Sequence, residues 1–108
     1  LVEAMERDAG RKVRTLRVDG GAAANDLLMQ YQSDLLGIPV ERPRAIETTA
    51  LGAALLAGLG TGFWDSHRDL DRVRQVERVF RPGKSRAWRE GEVARWKWAV
   101  GMLLDGRP

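Results

Sequence analysis

The stretch that decides the fold is LRVDGGAAAN, residues 16–25. Its apolar residues Leu16 and Val18, together with Val13, predict a short strand over Val13–Asp19. The pair Gly20-Gly21 follows, and a helical pattern begins directly after it. A strand that turns through two glycines into a helix is a typical local unit of α/β sheets.

The glycine pair is also the candidate functional site. The first amides of a helix lack intrahelical partners, and the helix dipole adds about half a positive charge there. Such a position suits phosphate, and glycines permit close approach because they have no Cβ. Asn25 carries an amide that both donates and accepts, as an adenine edge or a ribose requires. The same residues are also compatible with a plain tight turn in which Asn25 only caps the helix.

The elements on either side of this unit alternate between helix and strand. Val2, Met5 and Ala9 share one face of a predicted helix over Leu1–Ala9. The clearest helix is predicted over Ala22–Leu36, and Gly37 ends it. The apolar stripe of that helix consists of Ala24, Leu27, Leu28, Tyr31, Leu35 and Leu36.

Downstream, a strand is predicted over Ile38–Arg42, with Pro39 indicating a sheet edge or a strand start. A small-residue helix follows, from Glu47 or Thr48 to about Gly60, whose internal glycines suggest that another backbone packs very close. The remaining predicted elements are a surface helix over Asp69–Gln75, a strand over Glu77–Phe80 and a helix over Arg86–Leu104. The last helix is expected to bury Val93, Trp96, Val100, Leu103 and Leu104.

This order predicts an α/β fold with a short, mostly parallel sheet. Two or three short strands are few for an independent sheet and leave its edges unpaired. The chain begins at Leu1 without an initiator Met, so we expect a piece of a larger α/β domain, or an oligomer.

Composition narrows the function classes. The 108 residues carry a net charge of +3, but acidic and basic residues are interspersed, so we do not expect nucleic-acid binding. The longest apolar run, Ala50–Trp64, is Gly-rich and well under the ~20 residues that a membrane span needs, so we expect no membrane partner. The absence of cysteine excludes thiol catalysis and disulfides and fits a reducing compartment. His67, the only histidine, is expected on the surface. Trp96 is expected in the core, whereas Trp88 and Trp98 are expected to cover the sheet end or to contact a missing domain.

Several segments resemble the glycerol kinase branch of the FGGY carbohydrate kinase family, in order along the chain. They are VDGGAAANDLLMQ (18–30), QSDLLG (32–37), VERP (40–43), ETTALGAA (47–54), GFW (62–64) and FRP (80–82). The Gly-Gly and Ala-Leu-Gly-Ala-Ala motifs are shared with related sugar kinases. The sequence around Asn25 is similar to that of glycerol kinases in particular.

The resemblance implies the actin-like ATPase fold, with residues 1–108 forming the C-terminal part of the second, ribonuclease-H-like domain. It implies that Gly21 and Asn25 lie on the nucleotide, with Gly20 and Ala22 as neighbouring walls, and that Ala50–Gly60 packs near the cleft. The intact protein would use ATP and Mg²⁺ to phosphorylate glycerol in the cytoplasm. The catalytic base and the metal ligands would belong to the missing N-terminal part. The alternative is an inactive fragment or a self-associating module, and a homo-oligomer is compatible with either.

Overall fold

The structure is a computed structural model that describes residues 1–73 and 75–104. Its strands are β1 (Leu16–Arg17), β2 (Val40–Pro43) and β3 (Val76–Phe80). A 3₁₀ turn spans Gly21–Ala24. The α-helices are α1 (Val2–Ala9), α2 (Asp26–Leu36), α3 (Thr48–Gly60), α4 (His67–Val73) and α5 (Arg86–Leu104). The predicted α/β class is therefore confirmed.

The sheet is mixed, with the strand order β1-β2-β3. Leu16 pairs with Val40 in parallel, whereas Val40 pairs with Phe80 in an antiparallel register. The amide of Arg44 donates a 2.9 Å hydrogen bond to the carbonyl of Gln75, so the chain enters β3 beside the point where it leaves β2. That return path forces the antiparallel direction, and the expectation of a mostly parallel sheet is wrong.

The β2 strand lies in the centre of the sheet and not at an edge. Pro39 precedes its first residue, and the Pro39 carbonyl accepts a 2.9 Å hydrogen bond from the amide of Leu16. Of the two roles expected for Pro39, the strand start is the one observed. The missing amide of proline is tolerated because its carbonyl still continues the pairing with β1.

The core is small and lies between α2, the sheet and the turn before α2. It contains Ala23, Met29, Val40 and Phe80, with Leu16 and Val18 packed against it. The expected apolar stripe of α2 is wrong, since Leu27 is 80% exposed and Tyr31 is 42% exposed.

Two polar contacts explain why the expected apolar stripe of α2 does not face the core. The hydroxyl of Ser33 donates to the carbonyl of Phe80 at 3.0 Å, and Asp34 accepts from the amide of Gly83 at 2.6 Å. Both side chains are buried, and each would lose its partner if the helix turned its leucines inward.

The α5 helix has the predicted bounds, but its expected buried face is wrong. Of the five residues expected there, Trp96 is 71% exposed, Leu103 is 84% exposed and Leu104 is 80% exposed. Within the described residues, α5 packs mainly on α2, where Trp88 meets the Tyr31 ring edge-on at 5.8 Å. The apolar spacing predicted a buried face, yet none of the described elements covers the C-terminal half of α5.

In the described part of the chain, no second backbone packs against the glycines of the small-residue helix α3, although one was expected there. A Cβ added at Gly52 would meet nothing within 4 Å, and one at Gly58 would meet the ring of Trp64 at 2.5 Å. The close neighbour of Gly58 is therefore a side chain and not a backbone.

The predicted surface helix Asp69–Gln75 is shifted to His67–Val73, and Arg74 lies outside the described residues. His67 is exposed, as expected. In the described part of the chain, no helix combines the length and the apolar character needed to cross a membrane.

Candidate nucleotide site

The candidate site is built on the segment that links β1 to α2. We call residues 20–24 the glycine turn. The amide of Val18 donates to the Glu41 carbonyl at 3.1 Å, which continues the β1–β2 pairing to the edge of this turn. The amide of Gly20 then donates to the Ile46 carbonyl at 2.8 Å. The start of the turn is therefore fixed against both β2 and the loop before α3.

The two glycines play different conformational roles. Gly20 has φ 78° and ψ 172°, a backbone region that residues with a Cβ rarely adopt. Gly21 has no positive φ and begins the 3₁₀ turn. A Cβ added at either glycine would meet no atom of the described chain within 4 Å. The outer side of the turn is therefore open to a ligand.

The glycine turn has an exposed part and one buried residue. Gly21 and Ala22 are exposed, whereas Ala23 is 1% exposed and belongs to the core. The buried Ala23 side chain fixes the turn to the protein, and the two preceding residues face solvent. The four predicted site residues Gly20, Gly21, Ala22 and Asn25 therefore lie along one short segment.

The expectation that a long helix starts directly after the glycines is wrong. The residues after Gly20 form the 3₁₀ turn, and α2 begins only at Asp26. Asn25, between the two, is extended with φ −81° and ψ 105° and interrupts the helical path. The Gly21 and Ala22 amides therefore belong to a single short turn, and the dipole of α2 acts from Asp26 onward.

Asn25 is the N-cap of α2. Its side-chain oxygen accepts a 3.1 Å hydrogen bond from the amide of Leu28. The capping role considered for Asn25 is therefore confirmed. Capping uses the oxygen of the carboxamide, and the side chain remains exposed.

Asp19 connects the glycine turn to α3. Its carboxylate accepts a hydrogen bond from the hydroxyl of Thr48, the first residue of α3. This contact ties the residue before the glycine turn to the start of α3.

A cleft of about 680 Å³ adjoins this contact, between the ends of β1 and β2 and the helix α3. Val18, Leu51 and Leu55 form part of its apolar wall, and Asp19, Arg44 and Thr48 supply polar groups. The four predicted site residues do not line it. Sequence patterns missed this cleft because its walls come from segments that are separate in the chain.

An ion-pair cluster behind the turn was also missed. Arg42 is 8% exposed, and its Nη1 donates to Asp26 Oδ1 at 2.7 Å and to the Ala23 carbonyl at 2.9 Å. Its Nε donates to Glu77 Oε2 at 2.6 Å. Arg78 forms a second ion pair with Asp26. One signal was present in the sequence, since a charged residue in the middle of a short central strand needs buried partners.

The ion pairs of this cluster shift the pKa values of Asp26 and Arg42. The hydrogen bond from Arg42 is the main reason that the pKa of Asp26 lies below its ordinary value. The hydrogen bonds to Glu77 and then to Asp26 raise the pKa of Arg42. Both groups are therefore charged near neutral pH. Within residues 1–73 and 75–104, no group of three or more His, Asp or Glu side chains is placed to hold a metal ion.

Comparison with known proteins identifies the family of the chain. The sequence profile of the FGGY family of carbohydrate kinases, C-terminal domain, matches residues 1–61. The chain belongs to this family.

The curated relatives include proteins named glycerol kinase. The one from Variovorax paradoxus (strain S110) is 59% identical over 104 residues, which cover 93% of this chain and 21% of that protein. The one from Myxococcus xanthus (strain DK1622) is 53% identical over 100 residues, covering 93% of this chain and 20% of that protein. The chain thus spans about a fifth of the length of these relatives. The resemblance to glycerol kinases is confirmed.

Solved structures give the same result. The structure of Plasmodium falciparum glycerol kinase with ADP matches with a TM-score of 0.80 and 33% identity, covering 93% of this chain and 20% of that one. Xylulose kinase from Lactobacillus acidophilus matches with a TM-score of 0.63 at 17% identity, over 88% of this chain and 18% of that one, which shows the fold alone. The predicted actin-like ATPase fold is therefore confirmed.

Proposed function

We propose that this chain forms the adenosine-side wall of the ATP site in a kinase that phosphorylates glycerol. Residues 1–108 would be the C-terminal part of the second, nucleotide-side domain. The observation that carries the proposal is the open glycine turn, with Gly21 exposed, in a chain similar to a glycerol kinase solved with ADP.

The proposed reaction transfers the γ-phosphoryl group of ATP to a hydroxyl of glycerol, which loses its proton, and gives glycerol 3-phosphate and ADP. Phosphoryl transfer requires a base or positioning group and metal ions that neutralise the phosphate charge. The described residues offer no metal-ligand cluster, so they do not fit Mg²⁺. We assign the base and the Mg²⁺ ligands to the missing N-terminal part of the full-length protein.

Within this chain, Gly21 and Asn25 would contact the nucleotide, and Gly20 and Ala22 would form the neighbouring walls. The absence of a Cβ at Gly21 leaves space for close approach, and the residue is exposed, so its backbone amide would be the group that meets the nucleotide. Asn25 would present its carboxamide nitrogen to the adenosine, because the oxygen is used by the cap. The proposed location is the cytoplasm, which agrees with a chain free of cysteine.

The test is Gly21→Val in the full-length protein. Gly21 has no positive φ, and an added Cβ meets no atom of the described chain within 4 Å, so a side chain is compatible with the turn at this position. The Kd for ADP should rise by about tenfold or more, as expected when a hydrogen bond worth ~1.5–3 kcal/mol is lost. The KM for glycerol should stay close to that of the unmodified protein. An unchanged Kd for ADP contradicts the assigned role.

Gly91→Val is the matched control. Gly91 is also exposed, and an added Cβ there meets nothing within 4 Å, but it lies in α5. The control should leave the Kd for ADP unchanged. A loss of ADP affinity in both variants would indicate general destabilisation and would contradict the assignment.

Self-association is the second candidate function. It is favoured by the exposed apolar side chains Trp96, Trp98 and Leu103 on the C-terminal half of α5. Sedimentation of the full-length protein tests it, and a monomer across the concentration range would contradict it.

A further inference from the structure

The orientation of the glycine turn relative to α2 is not fixed by a continuous helix. Asn25 is extended between the 3₁₀ turn and α2, so the hydrogen-bonded ladder of the helix is interrupted there. If Gly21 and Asn25 contact the same nucleotide, some other group must fix the position of one residue relative to the other. A buried group that bonds to both segments would meet this requirement.

Arg42 is that group. A single nitrogen, Nη1, donates to the Ala23 carbonyl at 2.9 Å and to Asp26 Oδ1 at 2.7 Å. Ala23 lies two residues after Gly21, and Asp26 directly follows Asn25. The same guanidinium therefore binds the middle of the glycine turn and the first residue of α2.

The guanidinium is itself held in place on its other sides. Its Nε donates to Glu77 Oε2 at 2.6 Å, and its Cζ lies 5.2 Å from the centre of the Phe80 ring. Arg42 belongs to the central strand, and only 8% of it is exposed. A planar fork with several fixed donors is suited to this arrangement, whereas the ammonium of lysine is a single point charge.

We propose that Arg42 is a positioning residue for nucleotide binding, which sets the Gly21 amide and Asn25 in their relative places through Ala23 and Asp26. The inference rests on the proposed function of the glycine turn. It adds a residue that does not touch the nucleotide and acts through the backbone.

The test is Arg42→Lys in the full-length protein, measured by titration calorimetry with ADP and by the KM for glycerol. The Kd for ADP should rise by about fivefold or more, because a fixed bond to the turn is lost. The KM for glycerol should stay close to that of the unmodified protein, since the base and the acceptor site are assigned to the part of the protein outside this chain. Equal losses for ADP and glycerol would indicate a merely structural role and would overturn the proposal.

Two further arginines provide controls for the same substitution. Arg78 shares the Asp26 and Phe80 contacts, whereas the bond to the Ala23 carbonyl is made by Arg42, so Arg78→Lys should weaken ADP binding less than Arg42→Lys. Arg86 pairs with Glu90 at 2.7 Å on the surface of α5, and Arg86→Lys should leave the Kd for ADP unchanged. An effect of Arg78→Lys as large as that of Arg42→Lys would overturn the role given to the Ala23 bond.

Glu77→Gln supplies the test if Arg42→Lys does not fold. It leaves Arg42 in place and removes the charge that holds its Nε. The Kd for ADP should rise by about two- to threefold, since a charge-assisted bond becomes a neutral one. An unchanged Kd would overturn the proposal. If Gly21→Val weakens ADP binding and these variants do not, only the inference about Arg42 fails; if Gly21→Val also has no effect, the proposed function fails.

Discussion

The side-chain oxygen of Asn25 accepts a 3.1 Å hydrogen bond from the amide of Leu28, so this residue caps α2 at the place where the resemblance sets the nucleotide. One side chain thus has a demonstrated structural role and a proposed ligand role. Substitutions that keep the cap and change the carboxamide separate the two roles.

Asn25→Ser and Asn25→Ala form that pair. Serine is a good N-cap, whereas alanine removes the cap at a cost of about 1 kcal/mol. We expect the thermal midpoint to fall in the alanine variant only, and the Kd for ADP to rise in both, because both lose the carboxamide. Full recovery of ADP affinity in the serine variant would show that Asn25 acts only as a cap.

Gly20→Ala tests the backbone conformation of the glycine turn. The φ of 78° and ψ of 172° at Gly20 are strained for residues with a Cβ, so alanine should lower the free energy of unfolding by about 1–3 kcal/mol. Gly21→Ala, where φ is not positive, should have a much smaller effect. Thermal or urea unfolding of the two variants checks this. Equal stability of the two would contradict the observed turn geometry.

Asp26→Asn should reduce the acid sensitivity of the protein. The folded pKa of Asp26 lies below its unfolded value, mainly because Arg42 donates to it. Such a carboxyl contributes stability that is present above the unfolded pKa, about 3.9, and is lost as the pH falls through the folded pKa. Near neutral pH, the urea midpoint of the unmodified protein should therefore be higher than that of the variant. The difference between the two midpoints should shrink below about pH 4. A pH-independent difference would contradict the ion pair.

Gly58→Ala tests the contact between α3 and Trp64. An added Cβ would lie 2.5 Å from Cδ1 of Trp64, and the Trp64 amide is itself bonded to the Gly58 carbonyl at 3.2 Å. The ring must move, so we expect a loss of about 1–3 kcal/mol despite the better helix propensity of alanine. Gly91→Ala in α5 has no such neighbour and should stabilise the protein by up to about 1 kcal/mol. Thermal midpoints of the two variants should move in opposite directions.

The sequence by itself determined the order of helices and strands, several helix ends and the family. The capping glycines Gly10 and Gly37 adopt positive φ at the predicted helix ends, and α5 has its predicted bounds. These features are local, since a helix end depends on the conformations that a few neighbouring residues permit. The family follows from motifs that are contiguous in the chain.

Only the tertiary structure decided which faces are buried and what supports the glycine turn. Leu27 and Leu28 of α2 face solvent because Ser33 and Asp34 bond to Phe80 and Gly83, residues about fifty positions away. The start of α2 at Asp26 and its pairing with Arg42 likewise depend on partners brought together by the sheet. Periodicity reports that a helix has an apolar side, but the free energy of burial depends on the neighbours that are available, and these are set by long-range packing.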